Sequence, residues 1–392
     1  MAFITQSGLI SSTNDAFDRI TGTTVNDTVV YSLATSSVNV SLSIVGTQNT
    51  GGSGFDELIS IENITGSNFN DNLQGNSGNN VFNGGAGIDT VSYANATGSV
   101  IISLTLPGSQ FNVGSGSDTL ISIENLIGSL FSDTITGNLS NNFLSGGSGN
   151  DTIFGTAGSD VIEGGIGTDT ANYSAFTNVV TLGALGVLNK GALGTDTLIG
   201  VENIIGSSLL GDTVDLSGAS VAPATGTVAN LTSGVVTVNG TAPLPLNFTV
   251  SQFENVIGSV FADTITGNIS SNSLSGGGGN DTFFGSAGSD TINGGLANDT
   301  ANYNALTNVV TLGALGVLNK GALGTDTLIG VESIIGSSLL GDTVDLSGAS
   351  VAPATGTVAN LTSGVVTVNG TAPLPLNFTV SQFENVIGSG FA

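Results

Sequence analysis

Gly128 to Asn172 reads GSLFSDTIT, GNLSNNFLS, GGSGNDTIF, GTAGSDVIE, GGIGTDTAN, five back-to-back units of the form Gly-Gly-x-Gly-x-Asp-x-apolar-x. The sixth position holds Asp133, Asp151, Asp160 and Asp169, with Asn142 as the exception. The eighth holds Ile135, Leu144, Ile153, Ile162 and Ala171. Glycine permits positive φ and tight turns whose carbonyl oxygens can point at a shared centre. Aspartate adds a hard, charged oxygen, and an apolar residue between polar neighbours suits a short strand with one buried face. Each unit is therefore half turn and half strand. A flexible Gly/Ser linker would not keep an apolar side chain at one fixed position.

If two units make one coil of a solenoid, units two apart stack at the strand spacing of about 4.8 Å. Asp133, Asp151 and Asp169 then form one column, and Asn142 and Asp160 the other. Carboxylates at that separation repel by roughly 3 to 4 kcal/mol at an effective dielectric of about 20, and a cation between the turns reverses the sign. Oxygen-only ligands from Gly-rich loops suit Ca²⁺, which accepts about 6 to 8 oxygens at irregular angles. Zinc is disfavoured because the chain contains neither Cys nor His.

Matching units recur in two more blocks. GSNFNDNLQ, GNSGNNVFN, GGAGIDTVS runs from Gly66 to Ser92; GSVFADTIT, GNISSNSLS, GGGGNDTFF, GSAGSDTIN, GGLANDTAN runs from Gly258 to Asn302. An isolated match, GGSGFDELI, lies at Gly51 to Ile59. On these units, and on the flanking phrases DTLISIENLIGS and GTDTANYS, the chain resembles the RTX, or hemolysin-type calcium-binding, repeat proteins. The resemblance implies a parallel β-roll that folds on calcium outside the cell, after export by a type I exporter. It implies as metal ligands Asp71 and Asp89 in the first block, Asp133, Asp151, Asp160 and Asp169 in the second, and Asp263, Asp281, Asp290 and Asp299 in the third. Asn80, Asn142 and Asn272 depart from the pattern and give neutral, weaker ligands. GSSLLGDTV, from Gly206, carries one extra residue before Asp212, so Asp212 and its copy Asp342 are read as out of register and not as ligands.

A longer repeat overlies the short one. Ala171–Ala262 recurs at Ala301–Ala392, an offset of 130 residues, with differences only at Ser174/Asn304, Phe176/Leu306, Asn203/Ser333 and Val260/Gly390. Such periods mark modules that contact their neighbours in an array. Three regions follow: 1–127, degenerate, with the block 66–92; 128–257, the first 130-residue repeat, with the block 128–172; and 258–392, its second copy, with the block 258–302. The closing IGSGFA aligns with the IGSVFA before Asp263, so the second copy is expected to run on into a further one.

The stretches between blocks, such as SVIISLTL at Ser99–Leu106, SGVVTVNG around Val235–Val238 and VVTLGALGVL at Val179–Leu188, read as further strand. No long stripe of apolar residues at helical spacing exists. The expected fold is all-β, an elongated parallel β-roll or β-solenoid. Glu62, Glu124 and Glu254 each stand nine residues before the first Asp of a block, as terminal ligands or as polar residues at coil corners. Asp56, Asp118, Asp196 and Asp326, each six residues before a Glu, read as turn formers.

Composition bounds the function. The net charge is −26, with Arg19, Lys190 and Lys320 as the sole cations, which disfavours nucleic acid and anionic membrane as partners. The mean hydropathy of +0.35 supplies apolar surface for a core, unlike an acidic disordered tail. Without His, Cys or Trp, and with acids spread over repeated turns, no catalytic constellation forms, no Walker lysine follows the GxG patterns, and the chain reads as a non-enzyme. The N-terminal MAFITQSGLISSTNDAFDR, without a positive n-region and long apolar segment, reads as neither a Sec-type signal nor a membrane anchor. The expectation is a secreted, calcium-binding structural repeat protein of the bacterial cell surface or extracellular layer, with calcium ions and either itself or cell-surface components as partners. The alternative is the repeat section of a larger adhesin, toxin or exoenzyme.

Overall fold

A computed structural model describes residues 2–5, 8–13, 17–23, 26–219, 226–238, 246–348, 357–368 and 376–388. The last residues of IGSGFA, 389–392, and parts of the N-terminal segment lie outside that range. The chain divides into two compact units, Met1–Ala175 with Val187–Ile205, and Phe176–Gly186 with Gly206–Ala392.

In the first unit the nonapeptides alternate between two parallel stacks, as the two-per-coil reading requires. Thr134–Thr136, Thr152–Phe154 and Thr170–Asn172 pair in register, with Ile135 opposite Ile153 and Ile153 opposite Ala171. The intervening units form the other stack, Phe143–Ser148 on Val161–Ile166 and the latter on Thr195–Ile199, which aligns Leu144, Ile162 and Leu198. Period-two alternation sends each eighth-position side chain inward, and Ile135, Leu144, Ile153, Ile162 and Ala171 are all buried. Burying each Ile or Leu contributes roughly 1.5–3 kcal/mol, so the apolar register is what orders the coils. The first block stacks likewise, with Val40, Leu73, Val91 and Leu126 in one row.

The second unit repeats this arrangement. Ile265, Phe283, Ala301 and Ile334 align in one stack, and Val256, Leu274, Ile292 and Leu328 in the other. The turns need the glycines of the motif where φ is positive: Gly147 and Gly149, the second and fourth positions of GGSGND, have φ of 96° and 118°.

The segments between blocks are strands, but not all of them continue the parallel stack. Val187–Asn189 runs antiparallel to Thr195–Ile199, with Leu188 opposite Asp196, and Gln110–Asn112 runs antiparallel to Gly116–Ile121. In the second unit Val228–Asn230, Val235–Val238 and Leu246–Ser251 form an antiparallel meander. These are hairpins let into the solenoid, a connection that a run of β-branched residues does not reveal. Among the described residues the helical turns are short 3₁₀ segments, Gly191–Leu193 and Gly321–Leu323, and no helix is long and apolar enough to cross a membrane.

Candidate metal centre

Every sixth-position aspartate expected as a ligand is buried where its column was expected to run. The main-chain N–H of Asp133 donates to Asp151 Oδ1 at 2.7 Å, and that of Asp151 to Asp169 Oδ1 at 2.8 Å. The same ladder joins Asp71 to Asp89 at 2.8 Å, Asp263 to Asp281 at 2.7 Å and Asp281 to Asp299 at 2.8 Å. One oxygen of each acceptor carboxylate is thus engaged by the unit two before it. Each ladder ends on a glutamate that takes the place of a further aspartate: Glu124 accepts the Asp89 N–H at 2.9 Å, Glu202 that of Asp169 at 2.8 Å, and Glu332 that of Asp299 at 2.9 Å. Glu62 likewise accepts the Asp27 N–H at 2.9 Å, and Glu254 those of Gly211 at 2.9 Å and Asp212 at 3.2 Å. Glu62, Glu124, Glu202, Glu254 and Glu332 are therefore column members.

The opening aspartates are capped differently. Asp71, Asp133 and Asp263 each accept a serine N–H on Oδ2, from Ser67, Ser129 and Ser259 at 2.5 Å. The hydroxyls of those serines donate to Oδ1. Asp212 and Asp342 were read as out of register, and the structure corrects this. Ser207 caps Asp212 through N–H and hydroxyl, and Val180 N–H donates to its Oδ1 at 2.8 Å, matching the roles of Ser129 and Val100 at Asp133. Gly211, at φ 117°, takes up the extra residue.

The other oxygens separate two kinds of site. In Asp89, Asp151, Asp169, Asp281 and Asp299, Oδ2 is buried and has no hydrogen-bond partner. A buried carboxylate oxygen without a partner is costly, and either a cation or a proton would offset that cost. Each faces a backbone carbonyl across a small cradle. A β-carbon on Gly146 would collide with Asp151 Oδ2 and the Gly164 carbonyl oxygen, and one on Gly276 with Asp281 Oδ2 and the Gly294 carbonyl oxygen. The same pairing recurs for Asp89 with Ser122, Asp169 with Gly200 and Asp299 with Gly330. Among the described residues no three acidic side chains close around one point, so an ion here would need backbone carbonyls as well as carboxylates. That oxygen set fits Ca²⁺.

Burial raises these acids. Desolvation, then the neighbouring carboxylates of the ladder, push Asp89 and Asp151 from 3.8 up to about 6 and Asp281 up to about 7. Asp169 and Asp299 are raised for the same reasons, burial first and then the adjoining glutamate.

The second column is built otherwise. Asn142 N–H donates to Asp160 Oδ1 at 2.9 Å, and Asp160 N–H to Asp196 Oδ1 at 2.9 Å. Asn272, Asp290 and Asp326 repeat this at 3.0 Å and 3.0 Å. Asp196 and Asp326, read from sequence as turn formers, are column members brought in by the hairpin. Lys190, with no exposed surface, places Nζ against Asp196 Oδ1, 2.7 Å from the Thr156 carbonyl oxygen and 3.4 Å from Asp160 Oδ2. Lys320 does the same with Asp326, the Ser286 carbonyl oxygen at 2.8 Å and Asp290 Oδ2 at 3.3 Å. Asp160 and Asp290 were expected to face a metal ion; the structure sets a lysine ammonium before them.

A family model, the RTX calcium-binding nonapeptide repeat, matches residues 60–91, 118–153, 136–171, 145–179, 253–282 and 266–301. A comparison with curated proteins finds no match. Among solved structures, the extracellular lipase LipA from Serratia marcescens is similar at 13% identity over 66% of this chain, with a TM-score of 0.20, a likeness too slight to bear on activity. The chain spans 38% of that lipase's length. Taken with the parallel stacks and their aspartate ladders, the family match shows that this chain carries RTX calcium-binding nonapeptide repeats in several copies.

Proposed function

We propose that the chain is a secreted structural protein whose first aspartate column takes up Ca²⁺ and is rigidified by it. The supporting observation is the set of five buried, unpartnered carboxylate oxygens, each sharing a cradle with a backbone carbonyl. Asp89, Asp151, Asp169, Asp281 and Asp299 supply those oxygens. Asp71, Asp133 and Asp263, whose Oδ2 atoms share cradles with the carbonyls of Gly84, Gly146 and Gly276, close the end of each row. Metal bound to the folded chain adds its binding free energy to folding directly.

Repetition without a convergent catalytic group favours a scaffold over an enzyme. Its place is the cell surface or extracellular layer, as for the repeats it resembles, and self-association is the proposed mode of assembly. Exposed apolar residues recur at the long period, Leu139, Ile166 and Leu185 in one copy and Ile269, Leu296 and Leu315 in the next, which offers each module the same contact points. Calorimetric titration of the EDTA-stripped chain with CaCl₂ tests the metal reading. Saturable binding that weakens in Asp151→Asn and Asp281→Asn is expected, and heats no larger than dilution would refute it.

A further inference from the structure

The chain has two lysines in 392 residues, and both are completely buried in the acidic second column. A lysine ammonium is a compact, strongly hydrated charge, and burial is tolerated only where oxygens replace its water. Here they do. Lys190 Nζ meets two carboxylates and a main-chain carbonyl, from Asp196, Asp160 and Thr156. Asp196 Oδ2 is further held by the Tyr173 hydroxyl at 2.7 Å, and Asp160 Oδ2 by the Thr156 hydroxyl at 3.2 Å. Lys320 repeats the cage, with Tyr303 on Asp326 at 2.8 Å and Ser286 on Asp290 at 3.1 Å. Consequently neither Asp160 nor Asp290 has an orphaned oxygen, in contrast to five aspartates of the first column.

The sequence varies within the chain as a charge-matched seat would. Lys190 stands six residues before Asp196; the residue six before Asp118, which occupies the corresponding place in the first block, is Asn112. There the ladder partner is the neutral Asn80, whose N–H donates to Asp118 Oδ1 at 2.9 Å. Where the column carries two carboxylates and Lys190 or Lys320, the oxygens are satisfied; where the partner carboxylate is an amide, the lysine is an amide too. Asp18 and Asp56 lie in register with Thr50 in that place, and Asp56 is left with an unpartnered Oδ1.

We propose that Lys190 and Lys320 are tethered cations that occupy the seats a divalent ion would otherwise take, so that calcium enters the first column only and the second is closed without metal. Resting on the calcium reading above, this assigns the metal sites: Asp160 and Asp290 bind lysine and are not calcium ligands. A fixed cation also removes one site per module from competition with solvent ions, so part of each coil keeps its shape when calcium is withdrawn.

Two measurements on the full chain decide it. Calcium stoichiometry, from equilibrium dialysis with CaCl₂, is expected to be unchanged in Asp160→Asn/Asp290→Asn and to fall in Asp151→Asn/Asp281→Asn. Lys190→Ala/Lys320→Ala, which empties both seats, is expected to bind about one more ion per lysine removed. A fall in stoichiometry on changing Asp160 and Asp290 overturns the proposal. Should those variants not fold, amine acylation of the unmodified chain in EDTA, read by peptide mass spectrometry, settles the point. Both lysines are expected to stay unlabelled in the folded chain and to react once it is unfolded in urea. Labelling in EDTA that calcium suppresses would overturn the proposal, because the seats would then depend on metal. Absence of any calcium binding, with both lysines protected, would refute the calcium reading of the first column and leave the lysine seats standing.

Discussion

Asp133 and Asp151 are joined through the backbone of one and the side chain of the other: the N–H of the first donates to Oδ1 of the second at 2.7 Å. The repeating unit therefore relieves half of the crowding among its own carboxylates, by placing an amide against each. What is left over is Oδ2 of Asp151, turned into a cradle with the carbonyl of Gly164 and without a partner. The ladder fixes the chain so that one oxygen of each of Asp89, Asp151, Asp169, Asp281 and Asp299 stays available, and the chemistry of the site follows from that remainder.

The cradle beside Gly146 leaves no room for a methyl group. Gly146 does not sit at positive φ, so alanine is compatible with its backbone, yet a β-carbon there runs into both cradle oxygens. Gly146→Ala should weaken calcium binding at this position at least tenfold in a calorimetric titration. Gly108→Ala, where nothing lies within 4 Å of the added carbon, should leave binding unaltered.

The acids of the first column make the metal-free chain pH-sensitive. Asp89 and Asp151 rise from 3.8 to about 6, and Asp281 to about 7, chiefly through burial. Between about pH 4 and pH 7 the folded chain then holds more protons than the unfolded one, so stability falls as pH rises through that window. In EDTA, the urea midpoint should be higher at pH 5 than at pH 8. Calcium favours the ionised form, so the increment it adds should grow from pH 5 to pH 8. A calcium increment larger at pH 5 would contradict this assignment of ligands.

Ile162 lies between Leu144 and Leu198 in the inward row and is fully buried, whereas Ile166, four residues on, is 76% exposed. Ile162→Ala should cost about 2–5 kcal/mol in chemical denaturation. Ile166→Ala should change stability by less than about 0.5 kcal/mol.

Much of this was legible in the sequence because a fixed spacing of nine fixes both what faces inward and what stacks. Asp133 above Asp151, and Ile135 above Ile153, need only the period and two units per coil. Other features depend on segments whose path breaks the period. Lys190 reaches Asp160 across thirty residues because the hairpin of Val187–Asn189 and Thr195–Ile199 folds back on the coil, and a β-branched run does not announce that reversal. The spacing of Lys190 and Lys320 to Asp196 and Asp326, six residues in each, was the available signal, and it has meaning only beside Asn112 and Asp118. The register of Asp212 was misread because one added glycine at positive φ, Gly211, can absorb a residue without moving the carboxylate. Glu202 and Glu332 end their ladders because a glutamate reaches the N–H of an aspartate in the coil below, a fit that depends on side-chain length.

The central claim is that calcium completes the first column and thereby holds the coils together. Urea unfolding of the whole chain at pH 7.5, followed by far-ultraviolet circular dichroism in EDTA and in a series of CaCl₂ concentrations, tests it most directly. The account expects a midpoint that climbs with calcium, by the linkage between binding and folding, and far less with MgCl₂, whose smaller ion demands octahedral geometry. A midpoint that stays where it is across the calcium series would contradict it.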